Sequence, residues 1–181
     1  LIVAPTRELA SQIQQAFIQM ENRMFDIRAA LLIGGDSMGK QMEALRRGPR
    51  VIIGTPGRIN DHLKRRSVNL SKVDYLVLDE TDRMLDMGFG IQIDQILTYM
   101  PGRRQTMLFS ATLPPYITKL ANKYMQNPQR VAAGSTTEAS VQITQETLKV
   151  TTGEKYAALG VELEKRSGTI IELRRRADPR P

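Results

Sequence analysis

Apolar and polar positions alternate along this chain in two rhythms. Short, nearly continuous apolar runs fall at residues 1–4, 28–33, 50–53, 75–79 and 105–109. Runs of this length predict strands covered on both faces. Between them lie segments with helical periodicity. Residues 7–23 place Leu9, Ile13, Ala16, Phe17 and Met20 on one face. Further helices are expected at 37–47, 58–66, about 83–87, 91–100 and 114–125. Thr6 is the expected N-cap of the first helix, and Pro114 falls in the first turn of the last. A short strand near 130–132 closes the set, and His62 reads as a surface residue of its helix. Repeated strand–helix alternation implies an α/β fold, a parallel sheet with helices on both faces. Ligands in such sheets bind beyond the carboxyl ends of the strands. The unusual motifs of this sequence all lie at such ends.

The run at 75–79 ends on an acid, and Asp79, Glu80 and Asp82 fall within four positions. Carboxylates this close repel and call for a cation or a water-rich mouth. An acid at the end of a strand beside a phosphate site is how nucleotide hydrolases hold Mg2+, and the next acid can orient the attacking water. Acids in the first turn of a helix are the other reading, because they favour its dipole. The motif alone leaves both open.

Composition narrows the choice. The 181 residues are 41% hydrophobic and 25% charged, with no Cys and a single His. Disulfides, thiolate metal sites and His-paired metal centres are thereby excluded, and a reducing, cytoplasmic location is expected. No apolar run is long enough to span a membrane. The net charge of +7 favours a polyanion, nucleic acid first. Arg46, Arg47, Arg50, Arg58, Lys64, Arg65 and Arg66 cluster in one region.

Pro5-Thr6-Arg7 and Thr55-Pro56-Gly57-Arg58 fall at strand-to-helix junctions. Such junctions offer backbone N–H groups and a positive helix end to phosphate. Arg7 and Arg58 add charge, and Gly34, Gly35 and Gly57 allow a sugar–phosphate backbone to approach closely. Contacts of this kind position a nucleic acid without reading its bases. Plain turns and solvated helix faces would use the same residues.

Taken together, the ordered signatures Pro5-Thr-Arg-Glu-Leu-Ala10, Gly34-Gly35, Thr55-Pro-Gly-Arg58, Asp79-Glu-Thr-Asp82 and Ser110-Ala-Thr112 resemble the DEAD-box family of ATP-dependent RNA helicases. The resemblance implies a RecA-like sheet of the P-loop NTPase type, truncated at its N-terminal side. It implies ATP and Mg2+ as cofactors, with Asp79 holding Mg2+ through water and Glu80 positioning the hydrolytic water. Asp82, Ser110 and Thr112 would link the ATP and RNA sites. Pro5, Thr6, Arg7, Gly34, Gly35, Thr55, Pro56, Gly57 and Arg58 would contact single-stranded or short duplex RNA, mainly through its backbone. Thr81 departs from the family's Ala. Ser110-Ala-Thr112 can also be a helix-capping turn before Pro114.

Gly34-Gly-Asp-Ser-Met-Gly-Lys40 also matches the phosphate-loop pattern, but Gln41 follows where a hydroxyl should meet Mg2+. The family's phosphate loop is expected upstream of Pro5. On this reading residues 1–133 form the first RecA-like domain without that loop, and 134–150 are the linker. Residues 151–173 begin a second such domain, with a helix at 155–165, and 174–181 form a basic, disordered tail. Loss of the upstream strand would bare apolar faces along residues 1–4. The expectation is an ATP-dependent RNA helicase whose isolated fragment is inactive. The alternative is a nucleic-acid-binding or regulatory module without ATPase activity.

Overall fold

The computed structural model describes residues 1–24, 27–132, 146–151 and 153–165. The chain divides into two compact units, Leu1–Thr137 and Glu138–Pro181. The first unit runs β1 (Ile2–Val3), α1 (Arg7–Met24), β2 (Ala29–Leu32), α2 (Met38–Arg46), β3 (Val51–Gly54), α3 (Pro56–Lys64), β4 (Tyr75–Leu78), α4 (Thr81–Asp86), α5 (Gly90–Thr98), β5 (Gln105–Leu108) and α6 (Pro115–Tyr124). In the second unit α7 spans Lys155–Glu164, and the Thr151 hydroxyl donates to Glu154 at 2.6 Å ahead of it. The linker, the end of the second-domain segment and the tail expected from the sequence lie largely or wholly outside the described residues. The strand expected at 130–132 is not formed: Val131 stands 92% exposed and has no strand beside it.

The five strands form one parallel sheet in the order β2-β3-β1-β4-β5. Leu32, Gly54, Val3, Leu78 and Leu108 share a rung. The ladder runs one residue further, through Ala4 N–H to the Gly54 carbonyl, Thr55 N–H to Leu32, Asp79 N–H to Val3 and Phe109 N–H to Leu78. All five strands therefore end level. The chain leaves β1 toward β2 on one side and leaves β4 toward β5 on the other. The reversal between β1 and β4 is where such sheets open a crevice.

Alternation along the strands builds two cores. Ile2, Ala4, Ala29, Leu31, Val51 and Ile53 meet Leu9, Ala10, Ile13 and Phe17 of α1. Leu1, Val3, Leu32, Leu76 and Leu78 meet Ile59 and Leu63 of α3, Met84 of α4 and Ile93 and Ile96 of α5. The connection from β1 to β2 runs against the direction of the others, so right-handed crossovers place α1 alone on its face. The packing face of α1 ends at Phe17; Ala16 and Met20 are exposed, contrary to the periodicity. An 18-residue helix is about 27 Å long, whereas a four-residue strand covers about 13 Å, so α1 overhangs the sheet.

Two further expectations are corrected. Leu1, Val3 and Ala4 are buried, because β1 is the central strand between β3 and β4. Among the described residues the bare apolar surface is instead on β4 and β5, where Tyr75, Met107 and Phe109 are exposed on the same side of the sheet as α1, beyond the strands that helix covers. Among these residues β4 is thus covered on one face only.

The Leu1 nitrogen donates to the Tyr75 carbonyl at 2.7 Å, which extends the β1–β4 ladder to its first residue. Burial, followed by the nearby Arg58, lowers the His62 pKa below 6.5. The unfolded chain then binds a proton at a higher pH than the folded chain, so stability falls as pH drops through 6.5. Urea unfolding is expected to give a lower midpoint at about pH 5.5 than at about pH 7.5; an equal or higher midpoint at the lower pH would contradict the burial of the imidazole.

Candidate nucleic-acid and nucleotide interface

Three loops that follow β1, β3 and β2 meet on one half of the rim. A depression of about 490 Å3 is lined there by Pro5, Thr6, Arg7, Glu8, Gly34, Thr55, Gly57, Arg58, Asp61, Met87 and Phe89. Thr6 caps α1, its hydroxyl oxygen accepting Leu9 N–H at 3.2 Å. Thr55 precedes α3 without a side-chain cap, and Pro56 fills the first position. The Gly57 and Arg58 N–H groups therefore lie in a first turn with no intrahelical acceptor. Gly35 has φ of 79°, a conformation that favours glycine, and a Cβ built there would overlap the Arg7 guanidinium. Arg7 thus lies flat against the Gly34–Gly35 turn while its side chain stays open to solvent.

Arg58 behaves differently. Its side chain is only 13% exposed, donates from Nη1 to the Asp36 carbonyl at 2.9 Å, and stands 3.8 Å from Asp61. It fastens the glycine turn to α3 and is not a free cation. The glycine turn also differs from a phosphate loop, because Gln41 is buried and donates to the Ile33 carbonyl at 2.8 Å. Ser37 caps α2 by accepting Lys40 N–H.

His62 is fully buried, contrary to the surface position expected from the sequence. It lies between Ile59 and Leu63 on the inward face of α3, a spacing that carried the signal. Met87 and Phe89 were not singled out from the sequence, since no periodicity marks them. Glu8 and Asp61 make the lining acidic in part, so the site is not uniformly cationic.

The other half of the rim holds the acids. Asp79 continues the ladder from β4, and its Oδ1 accepts Glu80 N–H at 2.9 Å. Its second carboxylate oxygen has no hydrogen bond among the described residues. Glu80 adopts a left-handed backbone, φ 45° and ψ 53°, immediately before α4. Its carboxylate meets Arg83 Nη1 at 3.0 Å in an exposed pair, a contact of small energy. Thr81 is fully buried; its hydroxyl donates to the Leu78 carbonyl at 3.2 Å and its N–H to Phe109 at 2.9 Å. The hydroxyl that distinguishes Thr81 from Ala is thereby satisfied within its own turn.

Asp82 Oδ2 accepts both the Thr112 N–H at 2.9 Å and the Thr112 hydroxyl at 2.8 Å. Ser110 donates to the Thr112 carbonyl at 2.7 Å. Burial pushes the Asp82 carboxyl up, but the hydrogen bonds from Thr112, Arg83 and Ser110 outweigh it and hold the group below its usual range. Ser110-Ala-Thr112 therefore ties the end of β5 to α4. It does not cap α6, whose N-cap is Pro114 without a side-chain bond. Among the described residues no three His, Cys, Asp or Glu side chains converge on one point. A hydrated Mg2+ needs only one or two carboxylates, and Asp79 suits that role.

The two halves adjoin. Ala4 and Asp79 end neighbouring strands, so their backbones are about 5 Å apart.

Comparison with known proteins places this arrangement. The ATP-dependent RNA helicase DeaD of Buchnera aphidicola subsp. Baizongia pistaciae is 42% identical over 178 residues, covering 96% of this chain and 29% of that protein. DeaD of Escherichia coli K12 is 43% identical over 145 residues, covering 80% and 23%. The chain thus spans less than a third of the length of the curated relatives it matches. A DEAD-box protein from the hyperthermophile Methanococcus jannaschii superposes with a TM-score of 0.70 at 36% identity, over 90% of this chain and 43% of that one. A yeast DEAD-box splicing factor gives 0.64 at 37% identity, over 74% and 33%. The profile of the DEAD/DEAH box helicase family matches residues 1–120, which spans every motif described above, and the chain belongs to that family.

Proposed function

We propose that the chain is part of an ATP-dependent RNA helicase that couples ATP binding and hydrolysis to local unwinding or remodelling of RNA duplexes. The observation that carries this reading is the level end of the five strands, with the phosphate-approach loops on β2, β3 and β1 and the acids next door on β4. RNA would lie along Pro5, Thr6, Arg7, Gly34, Gly35, Thr55, Pro56, Gly57 and Arg58. Exposed N–H groups and Arg7 meet its phosphates, while Arg58 shapes the turn. Asp79 would hold Mg2+ through water, and that ion would neutralise phosphate charge when bound. Glu80 would orient the hydrolytic water. Asp82, joined to Thr112 by two hydrogen bonds, would carry the state of one site to the other. ATP turnover requires a phosphate cradle that the described residues do not supply, so the 181 residues alone are proposed to be inactive as an ATPase. Residues 1–133 are proposed as the first RecA-like domain, followed by linker (134–150), the start of the second (151–173) and a basic tail (174–181). A nucleic-acid-binding or regulatory module without ATPase activity is the competing reading, favoured by the same lack of a cradle among the described residues.

Binding of a fluorescent uridine decamer tests the RNA half. Affinity should fall with salt, and an adenosine decamer should bind similarly, because backbone contacts ignore base identity. Arg7→Ala should reduce the slope of log affinity against log salt by about 0.7, the value for one phosphate of a single strand. A slope unchanged by Arg7→Ala would remove Arg7 from the RNA track.

A further inference from the structure

A buried hydrogen-bond chain runs from the far end of α3 to the glycine turn. Gln41 Nε2 donates to the Ile33 carbonyl at 2.8 Å, which leaves Gln41 Oε1 facing His62 Nε2 at 3.0 Å. An amide oxygen can only accept, so His62 carries its proton on Nε2. Nδ1 lies 2.7 Å from the Ser67 hydroxyl, which also reaches the His62 carbonyl at 3.2 Å. With the imidazole neutral, Nδ1 accepts from Ser67, and the chain runs Ser67 to His62, His62 to Gln41, Gln41 to Ile33. His62 is fully buried and Gln41 is 3% exposed. A core requires only packing at such positions, and apolar side chains of similar shape would serve it.

The chain ends at the residue before Gly34. That turn is already held at Asp36 by Arg58 and covered on its glycine face by Arg7. The Gln41 bond supplies the remaining anchor, at its root. We propose that His62, in its neutral Nε2–H form, is a positioning residue that acts through Gln41 to fix the Gly34–Gly35 turn against the RNA backbone. This deepens the RNA reading of the rim and rests on it. Neutral imidazole is the form the surroundings favour: burial, Arg58 and Arg65 oppose a proton on His62, and only Asp61 favours one.

The test compares His62→Leu/Gln41→Leu with wild type in the 181-residue chain. The double replacement removes the two middle members together but leaves the Ile33 carbonyl without its donor, so the thermal midpoint should fall, and binding is compared at a temperature where both proteins are folded. Affinity for the uridine decamer should fall about tenfold, the worth of one well-placed hydrogen bond. Amide hydrogen exchange at Gly34, Gly35 and Asp36 should quicken in the variant. His62→Gln, which can still donate to Gln41, should restore binding to near wild type; His62→Asn, too short to reach, should not. If the double variant fails to fold, this Gln and Asn pair carries the test. Wild-type affinity and unchanged exchange in the leucine variant, or equal binding by the Gln and Asn variants, would overturn the proposal. If wild type itself binds no RNA, the exchange data decide alone. Faster exchange then keeps the positioning role while the RNA reading falls, and unchanged exchange removes both.

Discussion

Glu80→Gln is expected to lower ATP hydrolysis by a factor of about 10²–10⁴ in a longer chain that carries the complete nucleotide site, the usual worth of a positioned acid–base group. The substitution is mild for the fold. The carboxylate's protein partner is the exposed Arg83, and a Gln oxygen can accept the same hydrogen bond. The backbone keeps its left-handed turn, and Asp79 keeps the N–H of residue 80. RNA affinity should therefore be unchanged, since the depression around Arg7 does not include residue 80. The measurement is steady-state turnover at saturating RNA, paired with RNA binding by anisotropy. Turnover within about threefold of wild type would show that Glu80 does not act on the hydrolytic water. Loss of RNA binding together with turnover would point instead to a fault in folding.

Gly54→Ala is expected to cost about 3 kcal/mol, the upper end for forcing extra volume into a packed site. A Cβ there would overlap the Leu32 carbonyl oxygen and fall 2.9 Å from the Leu32 Cβ and 3.2 Å from Ile59. The carbonyl cannot yield cheaply, because it accepts Thr55 N–H at 3.0 Å and so sets the start of α3. The urea midpoint should fall by roughly 1–2 M. RNA binding should weaken beyond what the folded fraction explains, because Thr55 and Gly57 follow directly. A variant as stable as wild type would mean that β2 and β3 lie further apart than described here.

The strands, most helices and the rim motifs were legible because each is a local pattern. Asp79 after four strand residues and Thr6 capping a helix need no knowledge of the rest of the chain. Sheet order was not legible, since parallel strands pair across long crossovers. That is why the bare face was expected along residues 1–4 and is found at Tyr75, Met107 and Phe109. Arg58 was read as a cation for RNA. Its engagement with Asp36, twenty-two residues earlier, depends on how two loops pack. His62 is a different case. Its spacing between Ile59 and Leu63 was available, but a titratable side chain was assumed to face water. The resemblance supplied roles for Asp82, Ser110 and Thr112; the structure contributes the bonds that join them.

The left-handed turn at Glu80 sets competing demands on one position. An ordinary L-residue loses roughly 1–2 kcal/mol in this conformation, and glycine would not. A glycine would relax the chain yet remove the carboxylate from the rim. Engineering this protein for heat resistance by relieving unfavourable backbone angles would thus reach residue 80 early, and under the role proposed for Glu80 would trade durability against turnover there.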